Sequence, residues 1–178
     1  MSERLYEITE ITDLKDMLNK TGEMYGDKIA YKIKIEEGKY KTISHKEVRN
    51  MINSLGTALI DIGLKEKRIA VIGRNSYEWA IAHLSNLLGG NVSVPLDKDL
   101  QYDELESSLI RSKADMIFFD KKYEEKISQI KEKNNTNLKE YVCFEEAEGF
   151  KNISELLKIG NEKINSGKTD FINAKIDE

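Results

Sequence analysis

The sequence holds little of what disulfide-linked, metal-binding or membrane-spanning proteins need. It has one cysteine, Cys143, so it can form no internal disulfide and suits a reducing compartment. Its two histidines, His45 and His83, have no second histidine or cysteine at ligand spacing, and no metal site is predicted. The longest apolar stretch, residues 79–88, is interrupted by polar side chains and falls short of the roughly 20 residues that cross a bilayer. Because the N-terminus also lacks the apolar core of a secretory signal, a cytoplasmic protein is expected.

An excess of either charge is missing as well. The chain carries 28 basic and 32 acidic residues, a net charge of −4, and so offers no basic footprint for nucleic acid. Charged residues make up 34% of the sequence, but the hydrophobic fraction of 39% is too large for a disordered chain. These proportions predict a globular protein with a core of its own.

The first part of the chain predicts a helix followed by a β-hairpin. Apolar residues recur at loose helical spacing over residues 5–25, with Thr12 or Asp13 as possible caps. Two alternating segments, residues 29–35 and 40–43, then flank a short turn that contains Gly38.

A second helix is predicted with clear ends. Ser44 and Glu47 form a capping box, in which each side chain satisfies the backbone N–H of the other. From Val48 to Ile62 the apolar residues fall on one helical stripe, and Gly63 ends the helix as a C-terminal cap.

The rest of the chain repeats an apolar run followed by an amphipathic helix. The runs begin at residues 68, 91, 115 and 139, and the helices between them cover residues 76–88, 102–112 and 122–133. This alternation is typical of βαβ units, so the predicted fold class is α/β, with a mostly parallel sheet and helices on both faces. A last helix is expected over residues 153–164, followed by a loop over 165–168 and no closing helix.

Several candidate sites have an ordinary structural interpretation. The segment 160–169, GNEKINSGKT, has the wrong glycine spacing for a phosphate loop and follows a helix rather than a strand, so a surface loop is predicted. Asp120 follows an apolar run, as a phosphoacceptor aspartate would. However, the clustered acids that such a site needs to hold Mg²⁺ are missing, and a turn or cap residue is predicted. Cys143 is expected to be an inert core thiol, and the acidic residues 145–148 a solvated turn.

Four segments in order resemble the AMP-forming acyl-CoA synthetases of the adenylate-forming superfamily. Residues 68–79, RIAVIGRNSYEW, are similar to a family segment of the pattern RVAIxxxNSxEW, and residues 89–97, GGNVSVPLD, are similar to its second core motif. Upstream, residues 40–48 resemble the segment that opens the first helix of the family, although they differ from it at His45, Lys46 and Val48. Downstream, residues 95–115 look most like bacterial long-chain fatty acid–CoA ligases.

The resemblance implies an N-terminal portion of such a ligase. The full-length enzyme would join a fatty acid to coenzyme A, using ATP and Mg²⁺, and release AMP and pyrophosphate. Residues 1–178 are expected to form one subdomain, with the helix and hairpin in 1–43, the βαβ repeats in 44–150 and a terminal helix and tail in 151–178.

The family's ATP-binding groups are expected to lie beyond this chain. No catalytic and no metal-binding residue is therefore assigned, the fragment is expected to be inactive alone, and no cofactor is assigned to it. Lys98, in the loop after the second motif, is the one cofactor-binding candidate, as a contact to the phosphates of coenzyme A. Asn75 is expected to cap the helix that starts at Ser76.

Two alternatives remain open from the sequence. The chain could be a stand-alone flavodoxin-like module that binds a nucleotide or another protein. It could also be a structural piece whose partner is the remainder of the parent enzyme, or which associates with itself through an exposed apolar surface.

Overall fold

The computed structural model describes residues 9–175. The chain divides into two compact units, and the boundary between them falls within the helix of residues 45–61. The first unit runs to Arg49 and the second begins at Asn50. No helix in residues 9–175 is both long enough and apolar enough to span a membrane.

The first unit contains helix α1 and a β-hairpin. Helix α1, Leu14–Met24, starts where the Asp13 side chain accepts a hydrogen bond from the backbone N–H of Asp16 at 2.8 Å. The sequence placed this helix at residues 5–25, but residues 9–13 are not helical, and residues 5–8 lie outside the described part of the chain. The Asp13 cap is confirmed, and the earlier start is wrong from residue 9 onward because a capping residue adopts extended backbone.

The hairpin is confirmed with its turn at Gly38. Strands β1, Ile29–Glu36, and β2, Lys39–Ser44, pair antiparallel in a two-stranded sheet. Gly38 has a φ of +75°, a left-handed conformation that glycine adopts without steric cost. Most residues of both strands are exposed.

Helix α2, His45–Asp61, begins at the predicted capping box. The Glu47 carboxylate accepts a hydrogen bond from the Ser44 backbone N–H at 2.7 Å, and the Ser44 hydroxyl accepts one from the Glu47 N–H at 3.2 Å. The apolar stripe of α2 includes Ile52, Leu55 and Leu59, which are all fully buried.

The second unit is the predicted α/β repeat. Its elements after α2 are β3 Arg68–Ile72, α3 Tyr77–Leu88, β4 Val92–Leu96, α4 Tyr102–Ser112, β5 Met116–Phe119, a 3₁₀ turn Lys121–Tyr123, α5 Glu124–Lys133, β6 Glu140–Cys143, β7 Lys151–Asn152, α6 Ile153–Asn165 and α7 Asp170–Asn173.

All five strands of the second unit pair in parallel, in the order β4-β3-β5-β6-β7. The chain therefore moves from β3 outward to β4 in one direction, then returns past β3 to β5 and continues the other way. This doubly wound order confirms the predicted fold class.

The sheet is buried on both faces, as the predicted helices on two sides require. Alternate residues of β3 and β5, such as Ile72 and Phe119, pack with Leu105, Leu109 and other buried side chains of α4 and α5. The residues between them face the opposite side and are also fully buried; they are Ile69, Val71, Met116 and Phe118.

Two short elements were missed by the sequence analysis. Strand β7 is only two residues long, too short for an alternating pattern, and it joins the sheet through parallel pairing with β6. The expectation of no helix after α6 is wrong, because α7 follows Thr169. Phe171 of α7 is fully buried against Gly56 and Gly89, so tertiary packing holds this single turn in place.

Candidate functional site

The carboxyl ends of the parallel strands meet at one edge of the sheet. In open α/β sheets, ligands bind at this edge where the chain reverses its direction of winding. Here the reversal lies between β3 and β5, since the connection after β3 leads to β4 on one side and that after β5 leads to β6 on the other. The two loops involved are residues 73–76 and 120–123.

The Asp120 side chain reaches from the second of these loops to the first. Its side chain is only 3% exposed, and its Oδ2 accepts a hydrogen bond from the Arg74 backbone N–H at 2.6 Å. Gly73 makes this approach possible, because a Cβ at that position would lie 2.8 Å from Asp120 Oδ1. Burial raises the pKa of the Asp120 carboxyl, while the Arg74 N–H works in the opposite direction. The predicted role as a turn residue is confirmed by the bond from Tyr123 N–H to the Asp120 carbonyl.

Glu145, which follows β6, connects the end of a third strand to the same two loops. One of its carboxylate oxygens accepts a hydrogen bond from the Arg74 guanidinium at 3.1 Å, and the other accepts one from the Lys121 backbone N–H at 2.9 Å. The Arg74 side chain is 70% exposed, so this ion pair contributes little to stability. Sequence reasoning missed the grouping of Arg74, Asp120 and Glu145. Each follows a strand, but the strand order that makes them neighbours is not readable from the sequence.

Lys98 lies at the same edge, in the loop after β4. The Lys98 carbonyl accepts a short hydrogen bond from the Tyr123 hydroxyl and a longer one, 3.5 Å, from Lys122 Nζ. The next carbonyl but one, that of Leu100, accepts a hydrogen bond from Lys126 Nζ at 3.0 Å. The backbone of the loop is thus held by the 3₁₀ turn and by α5, while the Lys98 side chain is exposed.

The charges around Lys98 are mixed. Lys122 adds positive charge, and its pKa is raised, chiefly through its side-chain interaction with Tyr123. Asp97 and Asp99 flank Lys98, and Asp97 accepts the backbone N–H of Asp99 at 2.8 Å. An anion at this loop would meet lysine ammonium groups together with two neighbouring carboxylates.

The other candidates from the sequence stay apart from this edge or have structural roles. Cys143 is buried, which confirms its predicted core position, and burial raises the pKa of its thiol to about 11 and so disfavours the reactive thiolate. The surface loop predicted for residues 160–169 is wrong for residues 160–165, which belong to α6, and only residues 166–169 form an exposed loop. The segment therefore does not form a phosphate loop. Asn75 does not cap α3, because the Ser76 hydroxyl accepts the hydrogen bond from Trp79 N–H and takes that position.

A magnesium–nucleotide site does not fit the side chains present at the edge. In the part of the chain that the structure describes, no three His, Cys, Asp or Glu side chains come together as metal ligands. Asp120 and Glu145 are both already bound to backbone N–H groups of the loops. These two carboxylates therefore order the loops at this edge.

Comparison with known proteins identifies the family. The model of the AMP-binding enzymes matches residues 18–168, which is most of the chain. This chain belongs to the AMP-binding enzyme family. The resemblance seen in the sequence motifs is confirmed. One of those motifs runs from β3 into the start of α3, and a second contains β4.

Individual members of the AMP-binding enzyme family show the same relationship. Long chain acyl-CoA synthetase 4 of Arabidopsis thaliana is 29% identical over 139 residues, and Fatty acyl-CoA synthetase A of Dictyostelium discoideum is 30% identical over 93 residues. These matches cover 71% and 52% of this chain but only 21% and 14% of the two relatives.

A solved structure from the same group supports the fold. The long-chain-fatty-acid-CoA ligase FadD1 of Archaeoglobus fulgidus superposes with a TM-score of 0.72 at 20% identity. The superposition covers 98% of this chain and 35% of the ligase. This chain therefore spans about a third or less of the AMP-binding enzymes to which it is similar.

Proposed function

We propose that this chain acts as the N-terminal subdomain, residues 1–178, of a fatty acid–CoA ligase. The observation that supports this proposal is the family match over residues 18–168, together with relatives named as acyl-CoA synthetases. The whole enzyme would convert ATP, a fatty acid and coenzyme A into acyl-CoA, AMP and pyrophosphate, in the cytoplasm. A long-chain acid is favoured by the name of the plant relative.

The role of the chain within that enzyme is to provide a scaffold. The helix and hairpin of residues 1–43, the repeats of 44–150 and the tail of 151–178 would form one platform for the groups that hold ATP and Mg²⁺. We expect the chain to be inactive alone, because its strand-end carboxylates are bound to its own loops. The alternative of a stand-alone flavodoxin-like module is not favoured by the family match.

A graft tests the proposal directly. In the A. fulgidus ligase, the segment that superposes on this chain would be replaced by residues 1–178. With ATP, palmitate and coenzyme A, we expect the graft to form palmitoyl-CoA and the isolated chain to form none. A folded graft without activity, or turnover by the isolated chain, would contradict the scaffold function.

Lys98 is proposed to contact the coenzyme A phosphates in the whole enzyme. Its fixed loop backbone and exposed side chain support this role, since a lysine binds phosphate as a point charge. In the graft, Lys98→Ala should raise KM for coenzyme A about threefold to tenfold, the equivalent of roughly 1 kcal/mol, and leave kcat and KM for ATP unchanged. Lys158→Ala, another exposed lysine on α6, serves as the matched control. Equal effects of the two substitutions would rule out a specific contact.

A further inference from the structure

Exposed apolar side chains are concentrated in the first unit. In residues 9–175, eleven large apolar side chains are exposed, and eight of them precede Arg49, although this is the smaller unit. These eight are Ile11, Leu14, Met17, Met24, Tyr25, Ile29, Ile35 and Tyr40. Contiguous exposed apolar surface on a protein marks a site of interaction.

Helix α1 carries the most regular part of this surface. Leu14, Met17, Leu18, Met24 and Tyr25 recur at helical spacing along one side, and we call this set the α1 stripe. Leu14 is 42% exposed, Met17 36%, Met24 54% and Tyr25 42%. The single buried residue of α1 is Gly22, whose Cα faces the Arg49 side chain. Leu18 is half-buried and the Tyr25 ring lies beside the His45 ring, so the exposed part of the stripe centres on Leu14, Met17 and Met24.

The charged groups around α1 argue against a membrane as the occupant. Lys20 Nζ is bound to Asp16 Oδ2 at 2.8 Å and to the Glu10 carbonyl at 2.6 Å, so its charge is compensated locally. Helices that lie on membranes carry an excess of Lys and Arg on the polar side. Lys15 and Lys20 of α1 are instead balanced by Asp16 and Glu23. A neutral apolar protein surface is the better match.

We propose that the α1 stripe docks on an apolar surface of the polypeptide that completes the AMP-binding enzyme. This inference rests on the proposed function. The A. fulgidus ligase supports it, because nearly the whole of this chain, first unit included, superposes on a protein in which about two-thirds of the polypeptide lies outside the match. Met17 and Met24 suit such an interface, since methionine adapts its shape to the surface it meets.

Methionine oxidation measures whether the stripe is covered. The isolated chain and the graft would be exposed to hydrogen peroxide, and sulfoxide would be followed peptide by peptide by mass spectrometry. In the isolated chain, Met17 and Met24 should oxidise faster than Met116, which is fully buried. In the graft, the rates at Met17 and Met24 should fall about fivefold or more, because oxidation follows exposure. Met116 should stay slow in both, which checks that neither protein has unfolded.

Two variants sharpen the measurement. Met24→Glu places a charge in the stripe and should return the Met17 oxidation rate in the graft to that of the isolated chain. Glu23→Gln lies next to it on the polar side of α1 and should leave the protection of Met17 unchanged. Because the readout is Met17 itself, neither variant removes the reporter.

Three results would overturn the proposal. In a graft that melts cooperatively, Met17 and Met24 oxidising as fast as in the isolated chain would show an uncovered stripe. Protection that grows with the concentration of the isolated chain would assign the stripe to a second copy. Protection of the isolated chain that appears only when anionic lipid vesicles are added would assign it to a membrane. Palmitoyl-CoA formation by the graft is measured separately. Activity without protection of Met17 and Met24 would refute only the docking. Protection of these residues without activity would refute only the proposed function.

Discussion

Asp120 is the buried carboxylate on which two loops of the sheet edge depend. Its Oδ2 accepts a hydrogen bond from the Arg74 N–H, and burial raises the pKa of its carboxyl because a buried site disfavours the ionised form. An acid with a raised pKa in the folded state stabilises the fold at low pH. This stability is lost as pH rises from the ordinary aspartate pKa through the folded one.

Two substitutions at Asp120 should therefore change the free energy of unfolding by different amounts. Asp120→Asn keeps an acceptor oxygen without the buried charge, so the free energy of unfolding at neutral pH should stay the same or rise. Asp120→Ala leaves the Arg74 N–H without its partner, so it should lower the free energy of unfolding by about 1–3 kcal/mol. Urea denaturation at pH 7 and at pH 4 compares the two variants. A loss with Asn as large as the loss with Ala would show that the charge itself is required.

The protonation of His83 can be followed by tryptophan fluorescence. Its Nδ1 lies 2.8 Å from the Ser93 hydroxyl, its ring stacks on the chain's one tryptophan, Trp79, at 5.0 Å, and burial lowers its pKa. Because a protonated imidazole quenches indole fluorescence, Trp79 emission should fall as pH decreases, with a midpoint below the ordinary histidine value of about 6.5. A lowered histidine pKa also means that stability is lost as pH falls below that ordinary value.

His83→Gln is the control for this titration. The variant should abolish the fluorescence step, whereas His45→Gln should leave it in place, since His45 contacts Tyr25 instead. A midpoint at or above the ordinary value in the native protein would contradict the burial of His83.

At the scale of elements, helix packing in the second unit depends on glycines that admit close neighbours. A Cβ on Gly160 of α6 would lie 1.7 Å from the Ser54 carbonyl oxygen of α2, so these two helices touch at the backbone. A Cβ on Gly56 of α2 would lie 2.0 Å from the Phe171 ring. The turn α7 is held by that ring, because a helix of four residues is not stable by itself.

A double-mutant cycle at Gly56 and Phe171 tests how α7 is anchored. Phe171→Ala should cost about 3–5 kcal/mol, and Gly56→Ala should also destabilise by overpacking, about 1–3 kcal/mol. The double variant should cost less than the sum, because the alanine methyl group occupies part of the space that the ring leaves. Chemical denaturation of the four proteins gives the coupling energy. If the two destabilisations simply add, the Phe171 ring does not pack against Gly56.

At the scale of the whole molecule, the two units should differ in local stability. Strands β3 and β5 are central in a five-stranded sheet, and all residues of β5 are buried. The hairpin of β1 and β2 has only two strands, most of whose residues are exposed. Isolated two-stranded sheets are marginally stable in water, so the hairpin should open without unfolding the larger sheet.

Amide hydrogen exchange of the isolated chain measures this difference. Amides of residues 69–72 and 116–119 should exchange at least about 100-fold more slowly than those of residues 30–35 at the same pH, given the range of local opening energies. In the graft, protection of the hairpin should increase only if other polypeptide covers it. Equal protection of both sheets in the isolated chain would show that the hairpin is stable by itself.

Sequence alone determined most elements that carry a local signal, although it placed the starts of α1 and α3 too early. The capping box at Ser44 and Glu47 fixed the start of α2, and the spacing of the apolar runs predicted the parallel sheet. The family was also readable from residues 68–79 and 89–97, because those motifs are contiguous in the chain.

Tertiary structure decided what depends on neighbours distant in sequence. The order of the strands brings Arg74, Asp120 and Glu145 together, and no local pattern encodes that order. The two-residue strand β7 forms because it pairs with β6, and the single turn α7 forms because Phe171 packs against Gly56 and Gly89. Short segments gain too little from their own hydrogen bonds to fold alone, so their structure appears only when packing supplies the rest.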